Sequence, residues 1–298
     1  MKEYEREKYT PPSKEEISDG DLFLQEIPKW AEKRLPDWCL YEKMPEWLRN
    51  FRVNRDTIGF DKTIRDLPKI DGSAIVVDKS FASTMFYEQV HHLSEYRGTI
   101  IVCDRALAYV LRHRVPDIVC QLDSHPICQY FFDLPEVKKH MKEINAVFAT
   151  TTHPLTIRLW NGPRYFFQPW MGDWITWNLM SIGGVPLLPT GGQVACFAWI
   201  LAMNLGAKHI GVFGVTNGYD DMAETEYPGV EHRQVEGPHG TCYQDPVYGH
   251  YNDIYLAYIK YAKEKHGIDT FNLMKAGLLY SDFVKDLSLE EFVRRFSK

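Results

Sequence analysis

The sequence predicts an α/β fold: a mainly parallel β-sheet with helices on both faces, preceded by a helical N-terminal extension. From Ser73 onward, short β-branched and apolar runs alternate with helix-length segments, as they do in βαβ units. Each run is almost continuously apolar, which is typical of parallel strands buried on both faces. Before residue 71 the chain has charged stretches and Trp30, Trp38 and Trp47 but no such run, which favours helical structure there.

Composition places the chain among ordinary globular proteins. Of its 298 residues, 45% are hydrophobic and 25% are charged, and no apolar run approaches the ~18 residues that cross a bilayer. The net charge of −6 and the lack of a basic block argue against bulk nucleic-acid binding. The charged start MKEYEREKYT is unlike a signal peptide. We therefore expect a cytoplasmic protein without membrane association, and a homo-oligomer stays an open alternative.

The predicted organisation is an extension over residues 1–70 and a core domain over residues 71–298. Seven strands are predicted, the last of them at a sheet edge: 73–77, 99–103, 118–122, 146–150, 164–168, 209–213 and 270–273. The predicted helices lie between them, at 84–96, 106–114, 136–144, 193–205 and 252–266. Residues 216–249 form a long irregular stretch, which predicts either a loop over a ligand crevice or a surface insertion.

Acidic residues directly follow three of the predicted strands. Asp78, Asp104 and Asp123 each come at or just after the end of an apolar run, and parallel sheets bind ligands at that edge. Such carboxylates are suited to holding Mg²⁺ through water and orienting phosphate oxygens, or to binding ribose hydroxyls. Capping of the next helix is the alternative, above all for Asp104, which precedes the helical pattern RALAYVLRH. No immediate helix is expected after Asp123, which favours a functional role there.

A second group of candidate residues opens a predicted helix. Thr190, Gly191, Gly192 and Gln193 precede the apolar segment VACFAWILAMNLGA. Glycines at a helix start let the backbone approach a ligand, and the free amides there favour phosphate or carboxylate. Close packing of helix on sheet is the alternative reading of the two glycines. His125, just beyond a strand end, is a candidate general base.

Missing motifs argue against four classes of enzyme, namely P-loop kinases and NTPases, NAD-dependent oxidoreductases, serine hydrolases and zinc proteases. The chain has no G-x-x-x-x-G-K-[ST] phosphate loop, no G-x-G-x-x-G fingerprint after its first strand, no G-x-S-x-G elbow and no H-E-x-x-H. The six cysteines form no C-x-x-C pair and fall partly in apolar runs, so we expect reduced thiols in the core.

The order AIVV, TIIVCDRALAYVL, PDIVCQLD and PTGGQVACFAWILAMNLGAKHIGVFG resembles the MptE-like 6-hydroxymethylpterin diphosphokinase family. That family is related to the central domain of motility accessory factors. The resemblance covers residues 72–214 and implies a Rossmann-like fold, related to certain sialyltransferases, that binds a nucleotide-containing donor. It carries over to the five residues Asp104, Asp123, Gly191, Gly192 and Gln193.

The chain departs from the family after its first strand. Where the family has Gly-x-Gly-Pro-Ser, this sequence has Asp78, Lys79, Ser80 and Phe81, so only the serine is retained. Losing both glycines changes the backbone path round a phosphate, and Lys79 is a candidate for supplying positive charge instead.

Three functions are compatible with these features. The first is transfer of a diphosphate from ATP to a hydroxymethyl group of a pterin-like acceptor with Mg²⁺. There Asp104 and Asp123 hold the metal or the ribose, His125 accepts the hydroxyl proton, and Asp78, Lys79, Ser80 and the 190–193 segment bind the donor. The second is glycosyl transfer from a CMP- or UDP-sugar, which motility accessory factors suggest. The third is a non-catalytic ligand-binding protein of the same fold.

Overall fold

The computed structural model describes residues 37–79, 84–170, 174–219 and 231–297. Within them nine strands form one sheet: β1 Ser73–Val77, β2 Thr99–Cys103, β3 Ile118–Gln121, β4 Asn145–Ala149, β5 Arg164–Pro169, β6 Leu187–Leu188, β7 His209–Phe213, β10 Asp269–Asn272 and β11 Val284–Asp286. Their order in the sheet is β11-β10-β7-β1-β2-β3-β4-β5-β6, and every strand pair in it is parallel. The predicted Rossmann-like α/β fold is confirmed. Two further strands, β8 Arg233–Gly237 and β9 Gly240–Gln244, form a separate antiparallel hairpin.

Helices cover both faces of the sheet. The α-helices in the described ranges are α1 Asp37–Thr57, α2 Thr84–Gln89, α3 Leu107–Val110, α4 Gln129–Phe132, α5 Pro135–His140, α6 Pro154–Leu159, α7 Trp174–Gly183, α8 Val194–Leu205, α9 Pro246–His266 and α10 Leu289–Phe296. Short 3₁₀ helices span Ile64–Asp66, Val90–Glu95, Asp104–Ala106 and Pro126–Cys128. None of the helices in this part of the chain combines the length and the apolar character that spanning a membrane requires.

Successive side chains of β1 point to opposite faces of the sheet and so belong to two separate core layers. In β1, Val76 packs with α8 and α9 on one face, whereas Ile75 and Val77 pack with α2, α3 and α10 on the other. Residues Ala74 to Val77 have no exposed surface, which explains why this strand reads as a continuous apolar run. Helix α8 is apolar on all sides, as a helix buried in a domain core must be.

The strand order reverses between β1 and β7. The chain runs outward from β1 to β6 and then returns, so that β7 pairs with the opposite edge of β1, Val77 beside Phe213. Beyond the strand ends, the Asp78 N–H donates to the Phe213 carbonyl at 2.9 Å. Gly214 follows with φ +82°, and a Cβ there would overlap the Asp78 carbonyl oxygen. Two diverging connections therefore leave a crevice at this point, the usual ligand position in open α/β sheets.

Helix α1, from the N-terminal extension, is attached to the carboxyl edge of this sheet. Asn50 and Asn54 are 1% and 0% exposed, and each side-chain amide donates two hydrogen bonds of 2.7 to 3.1 Å. The acceptors are main-chain carbonyls in the connections after β3 and β4, those of Ser124, Thr150, Thr151 and Thr152. The part of the extension at residues 1–36 lies outside the described residues.

Several local predictions need correction. The predicted helix 84–96 is α2 followed by a 3₁₀ turn, and the predicted helix 106–114 is only α3 after a 3₁₀ turn. Strand β10 is interior and not an edge, because β11 pairs with it. The stretch 216–249 is not irregular throughout, since it contains the β8–β9 hairpin and the start of α9, while residues 220–230 lie outside the described residues. A 3₁₀ turn begins at Pro126, so a helical turn does follow Asp123 closely.

Five of the six cysteines can be compared with expectation. Cys103, Cys120, Cys128 and Cys196 are buried free thiols, which confirms the prediction of reduced core cysteines at these four positions, and Cys242 is buried as well.

Replacing Asn54 by alanine should lower the free energy of unfolding by about 2–4 kcal/mol, because two buried carbonyls lose their donor. Asn145→Ala is the matched control, since it removes one partly exposed bond to the Asp117 carbonyl at 3.2 Å and should cost less than about 1 kcal/mol. Urea unfolding measures both. Equal losses for the two variants would contradict the anchoring role of Asn54.

Gly214→Ala should destabilise the fold by about 3 kcal/mol or more, because a left-handed backbone and a clash with main chain combine there. Gly267→Ala is the control: its φ is +67° but nothing lies within 4 Å of the added Cβ, so it should cost only about 1 kcal/mol. Thermal and urea unfolding separate the two contributions. A Gly214→Ala cost as small as that of Gly267→Ala would show that β1 and β7 need no such close approach.

Candidate active site

A cleft of about 490 Å³ lies at the carboxyl edge of the sheet, where β1 and β7 diverge. The connections after β1, β2, β3 and β7 line it, together with the starts of α8 and α9 and one face of α1. This volume suits a nucleotide-sized ligand.

Three carboxylates from neighbouring strands meet in this cleft. Asp78, Asp104 and Asp123 follow β1, β2 and β3 and all line it, as their strand-end positions predict. One oxygen of each carboxylate accepts a nearby main-chain N–H, from Lys79 at 2.8 Å, Arg105 at 2.8 Å and His125 at 2.9 Å. These bonds stabilise the turns that follow the three strands and fix the carboxylates at the edge of the cleft.

The Asp104 carboxyl is held partly neutral. The pKa of Asp104 is raised from 3.8 to about 7. Burial is the main cause, and the negative charges of Asp78 and Asp123 add to it, while the N–H and the charge of Arg105 work in the opposite direction. Near neutral pH this group therefore exists in both protonation states. A carboxyl with such a pKa in a cleft is suited to accepting or donating a proton.

The described residues hold no group of three or more His, Cys, Asp or Glu arranged to bind a metal ion. Mg²⁺ is commonly held by only one or two carboxylates together with substrate phosphates and water. Asp104 and Asp123 match that pattern only if a phosphorylated ligand supplies the other oxygens.

The start of α8 forms one wall of the cleft. Thr190, Gly192 and Gln193 line it, and the Gly192 N–H donates to the Thr190 hydroxyl at 3.3 Å. Gly192 has φ +83°, and a Cβ there would run into the ring of Tyr251, so a side chain at this position would close the gap. Gln193 is the N-cap, yet its side chain does not cap the helix. The first amides of α8 therefore remain for a ligand, as at other anion-binding helix starts.

Positive side chains lie around the acidic group. The Lys79 ammonium donates to the Tyr109 hydroxyl at 3.0 Å and lies 4.3 Å from that ring centroid. Burial works to lower the pKa of Lys79, but hydrogen bonds with Tyr109 and Tyr87 outweigh it and the net shift is upward. Arg105 lies 5.8 Å from the Phe131 ring centroid and also lines the cleft. Lys79 thus lines the cleft as a charged residue, and hydrogen bonds to two tyrosines fix the position of its ammonium group.

Tyrosines form the wall on the β7 side. Tyr219, Tyr248 and Tyr251 line the cleft and meet edge to face, with centroids 5.6 Å apart for the first pair and 6.2 Å for the second. Asp245 fixes this wall: one of its oxygens caps α9, and the other accepts the Tyr219 hydroxyl at 3.3 Å. Rings held in this way offer stacking surface for a nucleobase.

The structure brings together seven of the ten residues predicted for the site. Those that line the cleft are Asp78, Lys79, Asp104, Asp123, Thr190, Gly192 and Gln193. Gly191, with φ +62°, packs instead against Cys196 and Ile254. His125 is exposed and absent from the lining; its Nδ1 accepts the Ile127 N–H at 3.2 Å, as the cap of the following turn. Ser80 lies outside the described residues.

Sequence reasoning missed the contribution of α1 and of the turn after β3. Lys43 and Trp47 from α1, and Ile127 and Phe131 from the turn and helix after β3, line the cleft as well. The spacing of Lys43, Trp47, Asn50 and Asn54 along one helical face was a signal for α1, but nothing local indicates where that face docks.

The fold and this cleft define a Rossmann-like α/β protein with a nucleotide-sized crevice at its switch point. Residues 86–222 match the family model described as 6-hydroxymethylpterin diphosphokinase MptE-like, which confirms the resemblance inferred from the strand-end motifs. The match covers somewhat less than half of the chain.

The chain also has the fold of a solved structure, the MAf glycosyltransferase from Magnetospirillum magneticum AMB-1. The TM-score is 0.62 at 18% sequence identity, and the similarity covers 84% of this chain and 38% of that protein. The chain therefore spans well under half of that glycosyltransferase, and the likeness establishes the fold. No curated protein matches the sequence significantly.

Asp104→Asn should stabilise the protein in a pH-dependent way. Because the folded-state pKa of Asp104 is about 7, above the ordinary 3.8, wild-type stability falls as pH rises between those values, and asparagine escapes that loss. The gain from Asp104→Asn should be about 2–3 kcal/mol larger at pH 8 than at pH 5. Thermal unfolding across this pH range measures it.

Asp269→Asn should behave oppositely. Burial works to raise the pKa of Asp269, but hydrogen bonds from Lys285 and Lys263 lower it overall, so replacing this carboxylate should destabilise the fold at neutral pH.

A destabilised Asp104→Asn variant at pH 8 would contradict the first of these two predictions, because it would show that the folded protein stabilises the charged form of the Asp104 carboxylate.

Proposed function

We propose that the chain is a nucleotide-dependent transferase, which moves a group from a nucleotide-containing donor to a hydroxyl of a small acceptor. One observation carries this proposal: strand-end carboxylates and the open start of α8 line the same cleft at the β1–β7 switch point. The matched family and the solved structure of the same fold are both named as transferases, which supports this class.

The start of α8 is the proposed binding site for the donor phosphates. Its first amides and the Thr190 hydroxyl provide uncharged donors, and the helix dipole adds partial positive charge. Lys79 lies on the same cleft and supplies full charge. The adjoining wall of Tyr219, Tyr248 and Tyr251 is placed to stack on the nucleobase.

Asp104 and Asp123 are the proposed groups that handle the acceptor proton. The acceptor hydroxyl gives its proton to one of these carboxylates as its oxygen attacks the donor. The raised pKa of Asp104 suits this task, because the group can hold the proton near neutral pH. The sequence favoured His125 for this step, but its capping position outside the cleft lining favours the two carboxylates.

Transfer of a diphosphate from ATP is the first candidate reaction, and the family match supports it. The acceptor oxygen would bond to the β-phosphorus, the bridge to the α-phosphorus would break, and AMP would leave. Mg²⁺ would supply charge neutralisation in this reaction, and Asp104 and Asp123 would hold it together with the donor phosphates instead of accepting the proton. The proton of the acceptor hydroxyl would then pass to water.

Glycosyl transfer from a CMP- or UDP-sugar is the second candidate, and the fold similarity over 84% of the chain supports it. The acceptor oxygen would bond to the anomeric carbon, and the nucleotide would leave as the bond from that carbon to the phosphate oxygen breaks. Replacement of the family's glycine segment by Asp78 and Lys79 also favours a donor other than ATP. A cytoplasmic location is part of the proposal in either case.

Thermal-shift measurements with ATP, CMP, UDP and GDP, each with and without Mg²⁺, test the proposal. A ligand at 100 times its Kd adds about 2.7 kcal/mol, which raises the melting temperature by several degrees. A Mg²⁺-dependent ATP shift supports the diphosphokinase, and a metal-independent CMP or UDP shift supports the glycosyltransferase. If no nucleotide shifts the wild type, the transferase proposal fails and a binding protein for another ligand takes its place.

Asp123→Ala should abolish most of the donor shift while the unliganded protein melts within a few degrees of wild type. Asp133→Ala is the control, because Asp133 lies on the same β3–β4 connection but pairs with Lys138 on the surface. A full donor shift in Asp123→Ala would remove Asp123 from the site.

A further inference from the structure

Four residues of α1 form one stripe that faces the sheet edge. Lys43, Trp47, Asn50 and Asn54 are spaced four, three and four residues apart, which places them on the same helical face. The two asparagines fix this face through four hydrogen bonds to the connections after β3 and β4. Lys43 and Trp47 are thereby held on the cleft, which both of them line.

The part of the cleft near α1 and the part near α8 are lined by side chains of different chemistry. The ring of Tyr251 adjoins Gly192 at the start of α8, so the proposed phosphate site lies next to the tyrosine wall. Trp47 shares the lining with apolar and aromatic side chains of the β3–β4 connection, those of Leu122, Ile127 and Phe131. Asp123 is the second residue of the same connection and lines the cleft with these side chains, so a ring bound against them shares the cleft with a carboxylate.

Building on the proposed function, we propose that α1 completes the acceptor subsite, and that Trp47 binds a ring-shaped acceptor by stacking on its flat face. A heteroaromatic ring and the C–H face of a sugar share this chemistry, since both bury apolar area on an indole. The free hydroxyl of the ring would then point to Asp123 and Asp104. Trp47 lies outside the segment 86–222 that matches the family, so this part of the site is a feature of this chain beyond that match.

Binding of two ring compounds to donor-free protein tests the inference. The probes are 6-hydroxymethylpterin and N-acetylglucosamine, measured by titration calorimetry or ligand-observed NMR. Wild type should bind at least one of them, Trp47→Ala should weaken that binding at least about tenfold, and Trp47→Phe should keep it within a few-fold because the ring face remains. Which probe binds distinguishes the heteroaromatic from the sugar source.

Leu48→Ala is the matched control, because Leu48 is the next residue of α1, is 38% exposed and is absent from the described cleft lining. It should bind the probe like wild type. The nucleotide thermal shift should be retained in all three variants, which shows that they fold and that the donor site is intact.

Three results would overturn the inference. They are unchanged probe binding in Trp47→Ala, equal weakening in Leu48→Ala, or no binding of either probe by a wild type that does respond to a nucleotide. In each of these the proposed donor site survives. Absence of any nucleotide shift in wild type would instead reject the proposed function itself.

Discussion

The parallel pairing of β1 with β7 is the constraint on which the site depends. Because the chain returns to the free edge of its first strand, the connections after these two strands diverge and open the cleft between them. Gly214 keeps the two backbones close enough for the Asp78 N–H to reach the Phe213 carbonyl. The three carboxylates and the start of α8 share one cleft because the strands are parallel and end at the same edge.

Helix α8 links the stability of the core to the proposed phosphate site. Its buried side chains fill the layer between the sheet and α9, and its first turn opens on the cleft. Such a helix can hardly shift, because a displacement would disturb packing along its whole length. Its free amides are therefore held at a fixed position relative to Asp104 and Asp123, which is the preorganisation that charge stabilisation requires.

The elements that could be predicted from the sequence are those whose apolar pattern results from burial on both faces of the sheet. Strands β1, β2 and β7 have the predicted bounds, since buried parallel strands read as short apolar runs. The β8–β9 hairpin was not predicted, because most of its residues are exposed or half-buried and it therefore lacks a continuous apolar run. Trp47 was missed for another reason: the bonds that dock α1 join residues 74 to 101 positions apart, and no local pattern encodes them. Likewise, a capping role for His125 emerges only once the turn after Asp123 is formed.

The attachment of α1 has a consequence for how the chain can vary. Asn50 and Asn54 bind main-chain oxygens, and every amino acid carries such an oxygen. Side chains in the connections that accept these bonds can therefore be substituted without weakening the attachment of the helix, whereas the two asparagines cannot. Residues elsewhere on the same helical stripe are free to diversify, so the lining of the crevice can be altered from outside the sheet while the underlying architecture is inherited unchanged.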